Sequence, residues 1–209
     1  MTNRRSMLKQ IASASAVTVL PAVANIAPPS AAFAQSTAPI QAPSASRIQC
    51  SLEAEPRQKI RREDKIRRKD FGQDLRRKSP FRENIRVAAP SIDIQAINFE
   101  FGSANIPYDE QWKVEEIATA MRRILRRNPD ELFLIEGHTD AVGSNYANQL
   151  LSEDRASSLK RILVRRFGIA RYALETIGYG EEYLLVPTPR PEWRNRRVTL
   201  RRVTDFVVR

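Results

Sequence analysis

The stretch from residue 107 to residue 137 leaves a folding chain little choice. Between Pro107 and Asn128-Pro129-Asp130, the apolar residues Val114, Ile117, Ala118, Met121, Ile124 and Leu125 fall on one stripe of an α-helix. Pro129 disfavours helical backbone at the residue before it, so the helix ends there. E-L-F-L-I-E-G follows at 131–137 with too little alternation for a half-exposed strand, which predicts a central one. A helix with one apolar stripe beside a strand apolar on both faces has to bury both against further elements. Before the helix, I-D-I-Q-A-I-N-F-E-F at 92–101 alternates as a half-buried strand does. After the strand, Ala156, Leu159, Ile162, Leu163 and Phe167 predict a second helix from Ser152 to Phe167, with Ser152 as N-cap, Glu153 and Asp154 in its first turn, and Gly168 ending it. L-E-T-I-G-Y-G at 174–180 and N-R-R-V-T-L-R-R-V at 195–203 supply two more strands. The order β-α-β-α-β-β predicts an α+β two-layer sandwich, a small mixed sheet with both helices on one face, spanning residues 91–209.

Upstream the chain changes character. The net charge of +11 is concentrated in residues 57–90, which hold thirteen Lys and Arg against five Asp and Glu, while 91–209 is nearly neutral. That asymmetry speaks against a nucleic-acid-binding role for the compact part, and no nucleic acid is expected as partner. K-I-R-R-E-D at 59–64 is nearly repeated as K-I-R-R-K-D at 65–70, a period that fits neither one helix face nor a heptad. With few apolar residues for a core, 57–90 reads as a basic charged segment. It is either a solubilising spacer or, over 57–78, a patch for anionic envelope polymers or lipids. Residues 35–56, rich in Gln, Pro, Ala and Ser and without aromatics, read as a flexible linker.

Residues 1–34 read as a signal peptide, with Arg4 and Arg5 before an apolar run and A-A-F-A at 31–34 as a small-x-small cleavage site. N-R-R-S-M-L-K resembles the twin-arginine export motif. Export predicts a periplasmic protein, associated with the outer membrane or the cell wall. Cys50 is the only cysteine, so one chain has no disulfide, and Arg47-Ile48-Gln49 before it lacks the small apolar residues of a lipidation site. It reads as a free thiol.

E-G-H-T-D-A-V-G at 136–143 holds the only histidine and puts Asp140 on a turn bounded by Gly137 and Gly143. Arg155 is expected in the first turn of the second helix. The two side chains either bridge each other or face one small pocket suited to a zwitterion. There the carboxylate would accept from an ammonium and the planar guanidinium would clasp a carboxylate. His138 lacks the second histidine or nearby cysteine of a metal site and the positioned nucleophile of a catalytic triad. It is expected to brace the loop, its ring hydrogen-bonding nearby backbone. No catalytic residue, metal or cofactor is read.

The pattern G-H-T-D-x-x-G-x-x-x-x-N-x-x-L-S-x-x-R-A closely resembles the peptidoglycan-binding module of the OmpA-like family, as do N-F-E-F-G-S at 98–103, G-Y-G-E at 178–181 and N-R-R-V at 195–198. The resemblance runs from about Ile92 to Val203. It implies non-covalent binding of the peptidoglycan stem peptide, with Asp140 taking the ammonium of meso-diaminopimelate and Arg155 its carboxylate. It further implies that Thr139 shapes the loop, Asn148 braces it, Leu151 packs beside the helix start, and Arg197, or else Arg196, edges the pocket, strand alternation deciding which of the two faces in. Glu192 departs from the family, which has an arginine there; Arg190 or Arg194 would take over, or that support is lost. Tyr183, Leu184 and Leu185 make an unusually apolar loop, either a packed lid or a partner surface. Two other readings stand beside wall anchoring: an exported adaptor that grips anionic envelope polymers through its basic segment, and a regulator of wall hydrolysis. The sequence leaves room for a homodimer.

Overall fold

The computed structural model describes residues 43–94, 97, 99 and 102–208. The signal peptide read at 1–34 and much of N-F-E-F lie outside these. In chain order they form α1 (Ala45–Leu52), β1 (Ile66–Arg67), α2 (Phe71–Arg76), α3 (Pro80–Ala88), β2 (Ser91–Ile94), α4 (Gln111–Arg127), β3 (Phe133–Gly137), α5 (Asn145–Arg165), β4 (Leu174–Gly178), β5 (Val198–Arg202) and β6 (Val207–Val208). Among the described residues, no helix is long and apolar enough to cross a membrane.

The fold is α+β around a small mixed sheet of order β2-β5-β3-β4. Every residue of β3 is buried, and it lies inside the sheet, as its unbroken apolar run predicts. The helical crossover through α5 brings β4 parallel to β3, while β5 runs antiparallel to both β3 and β2. Strand alternation then sorts the side chains. Phe133, Ile135, Leu174, Val198 and Leu200 join one core with Val114, Ile117 and Met121 of α4 and Ala156, Leu159 and Leu163 of α5. Leu134 and Ile177 belong to a second core on the opposite face.

That second core corrects the reading of the basic segment. Phe71 and Leu75 of α2 and Ile85 and Ala88 of α3 are buried against the far face of the sheet, with Ile60, Ile66 and Phe81 packed around them. Burying a side chain such as Phe71 or Ile85 contributes about 1.5–3 kcal/mol, so these few apolar residues suffice to dock the segment. Most of its cations stay at the surface, with Arg57, Lys59, Arg61, Lys65, Lys69 and Arg77 exposed, whereas Arg82 is buried. β1 pairs with β6 in parallel, Ile66 opposite Val207, tying the segment to the end of the chain. The helices α4 and α5 share one face as expected, and α2 and α3 add a layer on the other.

The flexible-linker reading of 35–56 is corrected in the same way over 45–52. Ser44 caps α1 by accepting from the Arg47 amide, and Ala45, Ile48 and Leu52 recur at helical spacing on one buried face. That face packs on α4, where the Glu116 carboxylate accepts from the Ala45 amide and Arg127 pairs with Glu53 at 2.7 Å. The thiol of Cys50 is free and exposed.

Candidate functional site

The site grows from a close approach between strand ends and helix. Gly137 and Gly178 are register partners at the ends of β3 and β4. A Cβ on Gly137 would overlap the Ser152 carbonyl, and one on Gly178 would overlap the Glu153 amide and the Ser152 hydroxyl. Glycine at both positions therefore lets α5 lie directly on the sheet's edge. Ser152 is buried within the helix, where Oγ donates to the Gln149 carbonyl at 2.8 Å and accepts from the Gly180 amide at 2.8 Å. It is not the N-cap. Ser144 is, accepting from the Ala147 amide at 3.2 Å. Arg155 thus lies about three turns into α5 rather than in its first turn.

Between Gly137 and Ser144 the loop is fixed mostly through backbone. The His138 amide donates to the Arg197 carbonyl at 3.0 Å and the Thr139 amide to the Gly180 carbonyl at 2.9 Å. Asn148, buried on α5, donates from Nδ2 to the Asp140 carbonyl at 3.2 Å and to Glu181 Oε2 at 2.6 Å. Gly143 turns the chain with φ of 109°, a conformation that side chains disfavour.

These constraints set Thr139 and Asp140 on the wall of a cavity of about 490 Å³, which Gly143, Asn148, Leu151 and Arg155 also line. Asp140 and Arg155 do not bridge each other. Asp140 Oδ2 accepts from Arg196 Nη1 at 2.7 Å. Arg155 donates from Nε to the Ser103 carbonyl at 3.1 Å and sits 4.9 Å from the Phe99 ring centroid, with no carboxylate within 4.0 Å among the described residues. Burial, reinforced by the nearby Arg196 cation and opposed by Asp140, pulls the Arg155 pKa down to about 10. The Thr139 hydroxyl is buried without a hydrogen-bond partner among the described residues.

Arg197 does not line this cavity, which corrects its assignment to the pocket edge. Val198 and Leu200 face the α4–α5 side, so alternation sends Arg197 to the opposite face, where Nη2 donates to the Tyr183 carbonyl at 3.2 Å and Nε lies 3.5 Å from Asp93. Arg196 lines the cavity instead. Counting back from Val198 and Leu200 would have found it. Arg194 pairs with Glu192 at 2.9 Å, and neither lines the cavity, whose wall on this side Arg196 and Pro191 form.

His138 also differs from its expected role. Neither ring nitrogen has a hydrogen-bond partner among the described residues; the ring packs 5.4 Å from Tyr179, with Glu136 3.9 Å from Nε2. Burial lowers the His138 pKa, outweighing Glu136. A histidine that resists protonation when folded but not when unfolded removes stability as pH falls below its ordinary value near 6.5, and changes nothing well above it. Glu136 is held below the usual carboxylate range despite its burial, so it acts only at lower pH. Because His138 is the only histidine, His138→Gln is expected to flatten the decline of urea-unfolding stability between about pH 6.5 and 5. An unchanged slope in the variant would refute this assignment.

The loop after β4 is gripped from behind by α3. Arg82 Nη2 donates to Glu182 at 2.6 Å and to the Tyr183 hydroxyl at 3.0 Å, and its guanidinium lies 4.9 Å from the Tyr179 ring. Tyr183 packs edge-on against Tyr179 at 5.0 Å, whereas Leu185 is exposed. Through neighbouring Glu181 and Asn148, this grip reaches the backbone of Asp140.

Residues 98–197 match the model of the OmpA family. The chain is similar to outer membrane porin F of Pseudomonas aeruginosa, 31% identical over 104 residues that cover 49% of this chain and 29% of that protein. It is also similar to outer membrane protein Omp38 of Acinetobacter baumannii, 33% identical over 102 residues, covering 48% and 28%. Among solved structures, the peptidoglycan-associated lipoprotein from Burkholderia pseudomallei aligns with a TM-score of 0.44 and 27% identity, covering 51% of this chain and 87% of that one. The chain spans less than a third of the length of the curated relatives it matches.

Proposed function

Since residues 98–197 form an OmpA family domain, we propose that this chain anchors non-covalently to peptidoglycan by holding the diaminopimelate of the stem peptide in the cavity between Asp140 and Arg155. The observation that carries this is an aspartate and a buried arginine lining one cavity of about 490 Å³ without pairing to each other. A site of that size accommodates an amino-acid head and part of its chain. The ligand ammonium competes with Arg196 for Asp140. With Arg155 Nε committed to Ser103, the two Nη groups clasp the ligand carboxylate end-on. That carboxylate supplies an anionic partner that no described residue within 4.0 Å gives the buried guanidinium, so binding relieves part of the burial penalty on Arg155. The buried Thr139 hydroxyl adds a neutral hydrogen bond. Binding and release need no covalent step. This reading sets the protein in the periplasm against the wall, in keeping with relatives named as outer membrane proteins.

A second reading draws on the exposed cations of 57–78, which would hold anionic envelope polymers. Retention on purified sacculi separates the two. Asp140→Asn and Arg155→Gln are each expected to weaken retention by about 1.5–3 kcal/mol, roughly 10- to 150-fold, with little dependence on salt. Walls whose free diaminopimelate carboxylate is amidated should show the same loss. Retention that ignores both substitutions and disappears in moderate salt would favour the second reading, because exposed charges are screened. Release of soluble muropeptides would instead indicate a role in wall hydrolysis.

A further inference from the structure

The binding cavity does not end at Asp140 and Arg155. Phe99, Arg155 and Arg196 also border an adjoining recess of about 230 Å³, completed by Ile97 and Trp193. Among the described residues, no carboxylate lines this recess. Ile97 is buried and Trp193 is 42% exposed, so an apolar floor stands beside an open aromatic face. Among the described residues, two guanidinium groups therefore border both spaces against one carboxylate, that of Asp140, which Arg196 already engages at 2.7 Å.

Charge balance decides what this arrangement takes. A zwitterionic head brings one ammonium and one carboxylate and leaves the excess positive charge in place. Its ammonium also draws Asp140 away from Arg196, so the Arg196 guanidinium then needs another anion. We propose that the recess receives a second carboxylate of the same ligand, held by Arg196, with the adjoining apolar chain against Trp193 and Ile97. This rests on the diaminopimelate reading of the main cavity. In an alanyl-γ-glutamyl-diaminopimelate peptide, two carboxylates have that chemistry: the α-carboxylate of the glutamyl residue and the second carboxylate of diaminopimelate itself.

Calorimetric titration of the full chain with three such tripeptides tests this. One has both carboxylates free, one has the glutamyl carboxylate amidated, and one has the second diaminopimelate carboxylate amidated; all keep the terminal zwitterion. Amidation at one of the two positions is expected to weaken binding about tenfold, the lower end for a charge-assisted contact because the Arg196 side chain is 44% exposed. The position that matters identifies the group. In Arg196→Gln, confirmed as folded by circular dichroism, the parent and amidated peptides should bind alike. Equal binding of all three peptides to the unaltered protein would overturn the recess assignment and leave the main cavity reading intact. Discrimination that persists in Arg196→Gln would also overturn it. No binding by any peptide would overturn both.

Discussion

Arg201→Met is expected to lower the stability of the folded chain by about 3–5 kcal/mol in urea denaturation, among the largest losses a single substitution here can cause. Arg201 Nε sits 2.7 Å from Glu136 Oε1 on the face of the sheet opposite α4 and α5. Glu136 is 0% exposed and Arg201 8%. Burial alone would raise the Glu136 carboxyl, yet the adjacent arginine holds it below the ordinary range. Without Arg201 the carboxylate is left buried, and its other neighbours serve it poorly. His138 is held towards its neutral form, and Arg197 is engaged with Tyr183 and Asp93. The variant's Glu136 would then be driven towards protonation, giving a steeper fall of stability with pH on the alkaline side of the carboxylate range. Glu136→Leu combined with Arg201→Met should recover most of the loss, because an apolar pair of similar volume leaves no buried charge behind. A loss under about 1 kcal/mol in the single variant would mean that the pair is solvated and the burial argument wrong.

Gly137→Ala is the second large effect, expected at or above about 3 kcal/mol, near the upper end of overpacking costs. The added methyl would collide with backbone, the carbonyl and Cα of Ser152, which no rotamer change relieves. Either α5 lifts from the strand end or β3 bends away from its partners, and both weaken the contacts that seat Thr139, Asp140 and Arg155 around the cavity. Binding to sacculi should therefore fall along with stability. Gly102→Ala offers the comparison, since a Cβ there meets nothing within 4 Å although φ is +67°. Its loss should be confined to backbone strain, about 1 kcal/mol. If Gly137→Ala proved no worse than Gly102→Ala in thermal unfolding, the close helix–strand approach would not be the constraint inferred.

How far the sequence could be read depended on where apolar residues sat. α4 and β3 bury a long stripe and an unbroken apolar run, and β4 and β5 place apolar residues at the spacing of strands, so these are legible with nearly their observed limits. α5 was read as starting at Ser152 because its first turns bury Asn148 and Ser152, polar residues that hold the loop and the strand end, so the stripe starts late. Ser144, two turns earlier, carried the true capping signal. The three upstream helices have only 8, 6 and 9 residues, shorter than the window in which periodicity stands out, and charge or small residues dominate their composition. Asp140 and Arg155 are legible from the motif, whereas the residues alone leave open whether they bridge or share a cavity, and only the family resemblance points to the shared cavity. The partner of Asp140 is not legible, because Arg196 comes from 56 residues away and its facing depends on strand register.

The docking of the upstream segment changes what the chain is mechanically. Residues 43–90, fully extended, would span about 160 Å, enough slack for a gripping domain to roam across the envelope. Folded onto the two faces of the sheet, they give almost none of it. A load applied at residue 43 would have to shear α1 from α4 before any of that length was released.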